Sequence, residues 1–235
     1  MDERYVDVLT KLSLLPWIDG QPESFKNLIS MGSKKVFRKN ATIIDQDDVS
    51  ENIYYLHKGK VKVILFTTAG EDRLFWYASA GNIIGDVPFF HCLPSNAAIV
   101  AEEDCIVYCF SKTVFSEIIK NNPQFASYLL EAMAKKIRVL VNQLQDITFN
   151  DPTVRVSKFL YLLSQKFGQY CGSSSIELDL NLTHKEIASI TGVHRVTVTN
   201  VFAKLKNQGI INKSKKGTLV ILKPEMLYAY AFEDY

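Results

Sequence analysis

The chain is 235 residues long, 47% hydrophobic and 22% charged, with a formal net charge of +2. That is enough for one large or two modest domains, each with its own core. No apolar run nears the roughly 20 residues that span a membrane, and the acidic start MDERYVDVLT lacks the basic-then-apolar order of a secretory signal, so a soluble, cytoplasmic protein with no membrane partner is expected. Charge is unevenly placed: residues 1–151 carry 16 Lys and Arg against 19 Asp and Glu, whereas 152–222 carry 10 against 3. A basic back half points towards nucleic acid, because Lys and Arg neutralise phosphates and release counterions. Four cysteines, Cys92, Cys105, Cys109 and Cys171, form no CxxC pair and are expected to be buried free thiols, not zinc ligands or a disulfide framework.

In chain order, a short helix is predicted around Glu23 to Ser30. From Lys34 to Phe110 the segments KVFRK, NIYYLHKG, KVKVILFT, EDRLFWYAS and CIVYCF read as short strands, joined by turns at Gly59, Gly70, Gly81 and Gly85. This is the pattern of an antiparallel β-roll or barrel. SKTVFSEIIKNNP then reads as a short helix stopped at Asn121 and Asn122. Pro123 opens a long helix on which Ala126, Leu130, Met133, Ile137, Leu140, Leu144 and Ile147 recur at spacings of four and three. This series predicts a dimer seam made by Leu130, Met133, Ile137, Leu140, Leu144 and Ile147, while Leu129, Ala132 and Val139 supply a second face for the roll. FNDPT ends that helix, since the residue before Pro152 is pushed out of helical geometry, and Pro152 can start the next. The expected division is 1–121 as β-roll, 122–150 as dimerisation helix and 151–235 as DNA-binding domain, an α+β fold class overall.

Thr183 and Glu186 form a capping-box pattern that starts a helix, and Thr191 with Gly192 breaks it. The next stretch, GVHRVTVTNVF, is rich in β-branched residues, which favour strands. As a strand it would lack a turn and a partner before Gly209. As a helix it buries Val193, Val198, Val201, Phe202 and Leu205 and exposes Arg195, Val196, Thr199, Asn200 and Ala203. The helical reading therefore wins and makes a helix-turn-helix. GIINKSKKGTLVIL follows as two β runs about a basic tip at Lys213, Lys215 and Lys216, a winged helix.

The order of β-roll with GNIIGD, long helix, DPTVRV, LTHKEIASITGVHRVTVTNVFAKLKNQGII and wing resembles the Crp/Fnr superfamily of bacterial transcription regulators across essentially the whole chain. GVHRVTV and DPTVR are most similar to the CprK-type regulators of halorespiration, which sense halogenated phenols. The resemblance implies a homodimer on double-stranded DNA, a small-molecule effector and RNA polymerase as a further partner. It implies DNA contacts from Thr183, His194, Arg195, Val196, Thr197, Thr199, Asn200, Lys204, Lys215 and Lys216, with Arg195 the best base-edge or phosphate candidate. It also implies an effector region at Trp76, Tyr77, Gly85, Asp86, Val87, Phe89, Met133 and Lys136, where an ammonium beside aromatic walls suits a phenolic or other small aromatic acid. Effector binding is expected to act through the FNDP segment as a hinge. Members that bind cAMP carry a Gly-Glu pair and an Arg-Ser pair. Gly85 and Asp86 match the first approximately, but Ser95 and Asn96 stand at the second.

Other readings are weaker. The iron-sulfur members' N-terminal cysteines are missing, since no Cys precedes Cys92, and a haem role would rest on His57 or His91 alone. A redox response through Cys105 or Cys109 and cyclic-nucleotide sensing remain alternatives within the family. A metal-dependent β-roll enzyme would need clustered ligands, and His57, His91, His184 and His194 contain no HxH pair. No catalytic residue, metal or cofactor is expected.

Overall fold

The computed structural model describes residues 16–20, 26–68, 72–171, 175–178, 182–214 and 217–232. The chain folds as two compact units, Pro16–Arg138 and, apart from the N-terminal segment, Val139–Tyr235. The first unit is a roll of two sheets. One runs in the order β1 (Trp17–Ile18), β6 (Asp72–Ser79), β5 (Lys60–Phe66), β8 (Ala98–Ala101), β3 (Thr42–Ile44). The other runs β2 (Ser33–Phe37), β9 (Cys105–Ser111), β4 (Asn52–Lys58), β7 (Ile83–Ile84). All pairs are antiparallel except β1 with β6.

All five predicted strands of the roll are present, and four more, β1, β3, β7 and β8, lie among the described residues. Short length and burial hide most of these from a pattern search. β1 and β7 are two residues long, and Ala98–Ala101 is buried at every position, so neither kind alternates. The helix expected around Glu23 to Ser30 is a 3-10 helix at Lys26–Met31; residues 21–25 lie outside the described residues, as does Gly70.

A further helix, α1 (Asp86–His91), has no counterpart among the sequence expectations. Gly85 caps it with φ of 77°, and a Cβ there would stand 2.6 Å from Ile44 Cδ1, so this turn needs glycine. Helix α2 (Lys112–Asn121) begins at Ser111 and ends at Asn122, as predicted. Helix α3 runs Pro123–Phe149 without interruption. Its Phe125, Tyr128 and Leu129 join Ile53, Tyr55 and Phe115 in the core of the roll, and the Tyr128 hydroxyl donates to the Gly81 carbonyl.

The second unit contains α4 (Pro152–Phe167), capped by Asp151, whose Oδ1 accepts from the Thr153 and Val154 amides at 2.6 and 3.1 Å. Asp146, in the last turns of α3, accepts from Lys158 Nζ on α4 at 2.6 Å and from Asn150 Nδ2 at 2.8 Å. Strands β10 (Gly168–Cys171), β11 (Ser175–Leu178), β12 (Ile211–Lys213) and β13 (Leu219–Ile221) form an antiparallel sheet in the order β10-β11-β13-β12. The β12–β13 hairpin is the predicted wing. Helices α5 (His184–Thr191) and α6 (Arg195–Asn207) make the helix-turn-helix, and α7 (Pro224–Phe232) packs on α4.

The start of α5 is built as its sequence predicts. Thr183 Oγ1 accepts from the Glu186 amide at 3.2 Å, and Glu186 Oε2 accepts from the Thr183 amide at 2.7 Å. Thr183→Ala removes the cap and the hydroxyl's own bond to Glu186, and is expected to lower stability by about 1 kcal/mol. Urea unfolding of the two proteins side by side checks this; identical midpoints would mean the box contributes nothing.

The cysteines depart from expectation. All four are free, but only Cys105 is buried; Cys109 is half-buried and Cys92 and Cys171 are exposed. Cys92 closes α1 in the left-handed conformation, at a helix end that faces solvent, and Cys171 lies on β10, a strand at the sheet edge.

Candidate nucleic-acid interface

GVHRVTVTNVF is a helix from Arg195 onwards. Val198, Val201 and Leu205 are buried, Phe202 is half-buried, and Arg195, Val196, Thr199, Asn200 and Ala203 lie on the open side. Of these five, Val196 is 57% exposed although apolar. These are the two faces the sequence predicts. Val193 is half-buried and lies in the turn, not in the helix. Burial of the valines outweighs a helix-propensity cost of about a few tenths of a kcal/mol per residue. Gly192 takes φ of 63° and its amide donates to the Ala188 carbonyl, ending α5 ahead of the turn into α6.

Local sequence spacing does not reveal how that turn is held. Arg155 Nη1 on α4 donates to the Thr191 and Gly192 carbonyls at 3.2 and 3.0 Å, so the DPTVR segment braces the helix-turn-helix from behind. The contact across the two helices is equally hidden: His184 Nδ1 lies 2.9 Å from Thr199 Oγ1, and its ring lies 4.7 Å from that of Phe202. Burial, then the charges of Lys213 and Arg195, pull the His184 pKa below the ordinary imidazole value. Both arrangements join residues 15 or more positions apart, beyond the reach of a helix period.

The predicted DNA-contact residues fall into distinct places. Arg195, Val196, Thr197, Thr199, Asn200 and Lys204 all lie on α6. Lys204 Nζ sits 5.0 Å from the Tyr230 ring. His194 and Thr183 are both N-caps: His194 Nδ1 accepts from the Val196 amide at 3.3 Å, so each has a structural task at the front of its helix. Lys215 and Lys216 lie outside the described residues.

The predicted effector region belongs to the first unit. Lys136 is buried and its Nζ is 2.8 Å from Asp86 Oδ1, and it donates to the Ile83 carbonyl at 3.1 Å. The ammonium is therefore already paired. Gly85 adjoins that pair as the cap of α1. Tyr77 stacks on Trp17 at 5.3 Å under Lys60 Nζ at 4.2 Å, while the Trp76 ring lies 5.9 Å from Phe75. Phe89 is buried against Phe115, Val87 is exposed and Met133 is half-buried at the edge of the same core. Lys136, Asp86 and Gly85 are thus brought together.

Residues 34–122 match a family model described as a cyclic nucleotide-binding domain, and residues 154–230 match one described as a Crp-like helix-turn-helix domain. The chain belongs to the Crp/Fnr superfamily of transcriptional regulators. The superfamily's curated members include the cAMP-activated global transcriptional regulator CRP of Salmonella typhimurium, 27% identical over 186 residues, 79% of this chain and 87% of that protein. CprK complexed with OCPA has a similar fold, with a TM-score of 0.76 at 24% identity, covering 93% of this chain and 98% of that one. Oxidized CprK in complex with o-chlorophenolacetic acid gives a TM-score of 0.51 at 23% identity, covering 95% and 93%. The Salmonella relative is by name a transcriptional regulator, and this Crp/Fnr protein is a DNA-binding regulator of transcription, not an enzyme.

At the positions that the resemblance sets against the Arg-Ser pair of cAMP-binding members, this chain has Ser95 and Asn96. Ser95 is buried with its hydroxyl donating to the Ala97 carbonyl at 2.7 Å, and Asn96 beside it is exposed. Neither can replace a guanidinium on a cyclic phosphate. Among the described residues no group of three or more His, Cys, Asp or Glu could hold a metal ion, and no helix is long and apolar enough to cross a membrane.

Proposed function

We propose that the protein binds a palindromic, A/T-rich DNA site as a homodimer and that a small aromatic or phenolic acid, bound at the roll, controls this binding. The observation that carries the reading is the exposed face of α6. Arg195 opens it with a cation for a base edge or phosphate, Asn200 suits adenine, and exposed Val196 offers only an apolar contact of the kind a thymine methyl accepts. Two-fold symmetry of the dimer puts one such helix in each of two successive major grooves. RNA polymerase is the partner through which such a dimer would act on transcription.

Support for the effector class is chemical. CprK has been seen with o-chlorophenolacetic acid. Here Lys136 is a buried cation held by one carboxylate and one carbonyl, so an incoming aromatic acid would take over or share the place of Asp86. Exchange of partners on Lys136 gives the ligand a differential contact between two states of the helix, which a switch requires.

Footprinting and mobility shifts test both halves. Arg195→Ala is expected to weaken binding to an A/T-rich palindrome by about 10- to 100-fold, and o-chlorophenolacetic acid is expected to strengthen wild-type binding by about 5-fold or more. Protection centred on G·C-rich half-sites would overturn the operator reading. A response to cAMP with none to the aromatic acid would overturn the effector reading.

A further inference from the structure

The second unit contains a cavity of about 430 Å³ bounded by α4, β11, α5, α6 and the wing. Its floor is apolar: Leu160, Leu163, Leu178 and Ile187 are all nearly inaccessible, and Phe202 and Leu219 close the sides. The charged groups along it are of one sign. Lys206 and Lys213 line it beside the imidazole of His184, and among the described residues no Asp or Glu does. Of the described carboxylates next to lining residues in the chain, Glu186 is occupied by Thr183 in the capping box and Glu177 accepts from the Thr218 hydroxyl. The pKa of His184 is lowered first by burial and then by the charges of Lys213 and Arg195.

We propose that this cavity is a second ligand site, inside the DNA-reading unit itself, for a small amphipathic anion with an apolar body and one carboxylate. The size is that of pockets for small molecules, and an apolar chamber with a few convergent polar groups is their usual form. An apolar body would lie against Phe202, Ala203 and Leu219, the accessible apolar groups of the lining, while the carboxylate meets Lys213 and Lys206 in charge-assisted hydrogen bonds. Thr199 and Ala203 of α6 also line the cavity, so the occupant would lie against the helix that faces DNA. The site shares no residue with the proposed effector region and does not depend on it.

Octanoate and its neutral analogue octanol are the probes, titrated into the full-length protein while the methyl resonances of Leu163, Ile187 and Leu219 are followed by NMR. Octanoate is expected to shift these methyls saturably. Lys213→Gln, a surface change, is expected to weaken octanoate about tenfold and leave octanol unchanged, the size expected for one charge-assisted contact. Ala203→Phe, which grows into the cavity from an exposed helix position, is expected to abolish both. Octanoate that shifts none of these methyls, or binds Lys213→Gln as tightly as the wild type, would overturn the proposal.

Discussion

Ile137→Glu combined with Leu144→Glu is expected to convert the protein to a monomer and to abolish DNA binding, while leaving the protomer folded. Leu130, Ile137 and Leu144 are 68, 58 and 65% exposed in the protomer, so the described residues of their own chain leave these positions of the assigned seam uncovered, whereas Met133 of the same stripe packs against the roll's core. A helix face of this length, apolar and unburied, is held in water only at the cost of its hydration, and a second copy removes that cost. Each glutamate would bring an unpaired charge into the seam, and the two pairs across a dimer would weaken association by roughly a thousandfold or more. Light scattering after gel filtration gives the mass, and a mobility shift gives the DNA affinity. A variant that still runs as a dimer at micromolar concentration would show that the dimer is made elsewhere. Leu129→Glu is the contrast, since Leu129 belongs to the roll's core and its replacement should unfold the roll.

The second large effect concerns Lys136 and Asp86, whose side chains are each 7% exposed. Lys136→Met leaves the Asp86 carboxylate buried without its cation, and the expected loss is about 3–5 kcal/mol. Asp86→Leu leaves the ammonium to the Ile83 carbonyl and is expected to cost a similar amount. The double variant should recover much of the loss, because two apolar groups need no solvation. Urea unfolding of the four proteins closes the cycle. A double variant whose loss equals the sum of the two single losses would mean that the pair is not coupled.

How much of this is legible in the sequence differs by kind of feature. The helix-turn-helix is readable because capping box, glycine turn and buried valines all act within a few residues of one another. The two faces of α3 are readable because a helix repeats its face every three or four positions. Lys136 is harder. A lysine on a long helix ordinarily reads as solvated, and only the fold brings Asp86, 50 positions away, to within 2.8 Å. Helix α1 escapes because six residues containing Pro88 offer no period to find. The Arg155 brace is hidden for the same reason as the ion pair: its partners are distant in the chain, and they are carbonyls, which every residue possesses.

Asp146 connects two helices on either side of a proline-containing break. Its carboxylate takes Lys158 from α4 and Asn150 from the break itself, while Asp151 fixes the first turn of α4. The segment FNDP, read from sequence as a hinge, is thereby latched on both sides. Arg155 in turn ties α4 to the turn between α5 and α6 through the Thr191 and Gly192 carbonyls. One carboxylate, that of Asp146, thus joins the last turns of α3, the break and α4 by side-chain bonds alone.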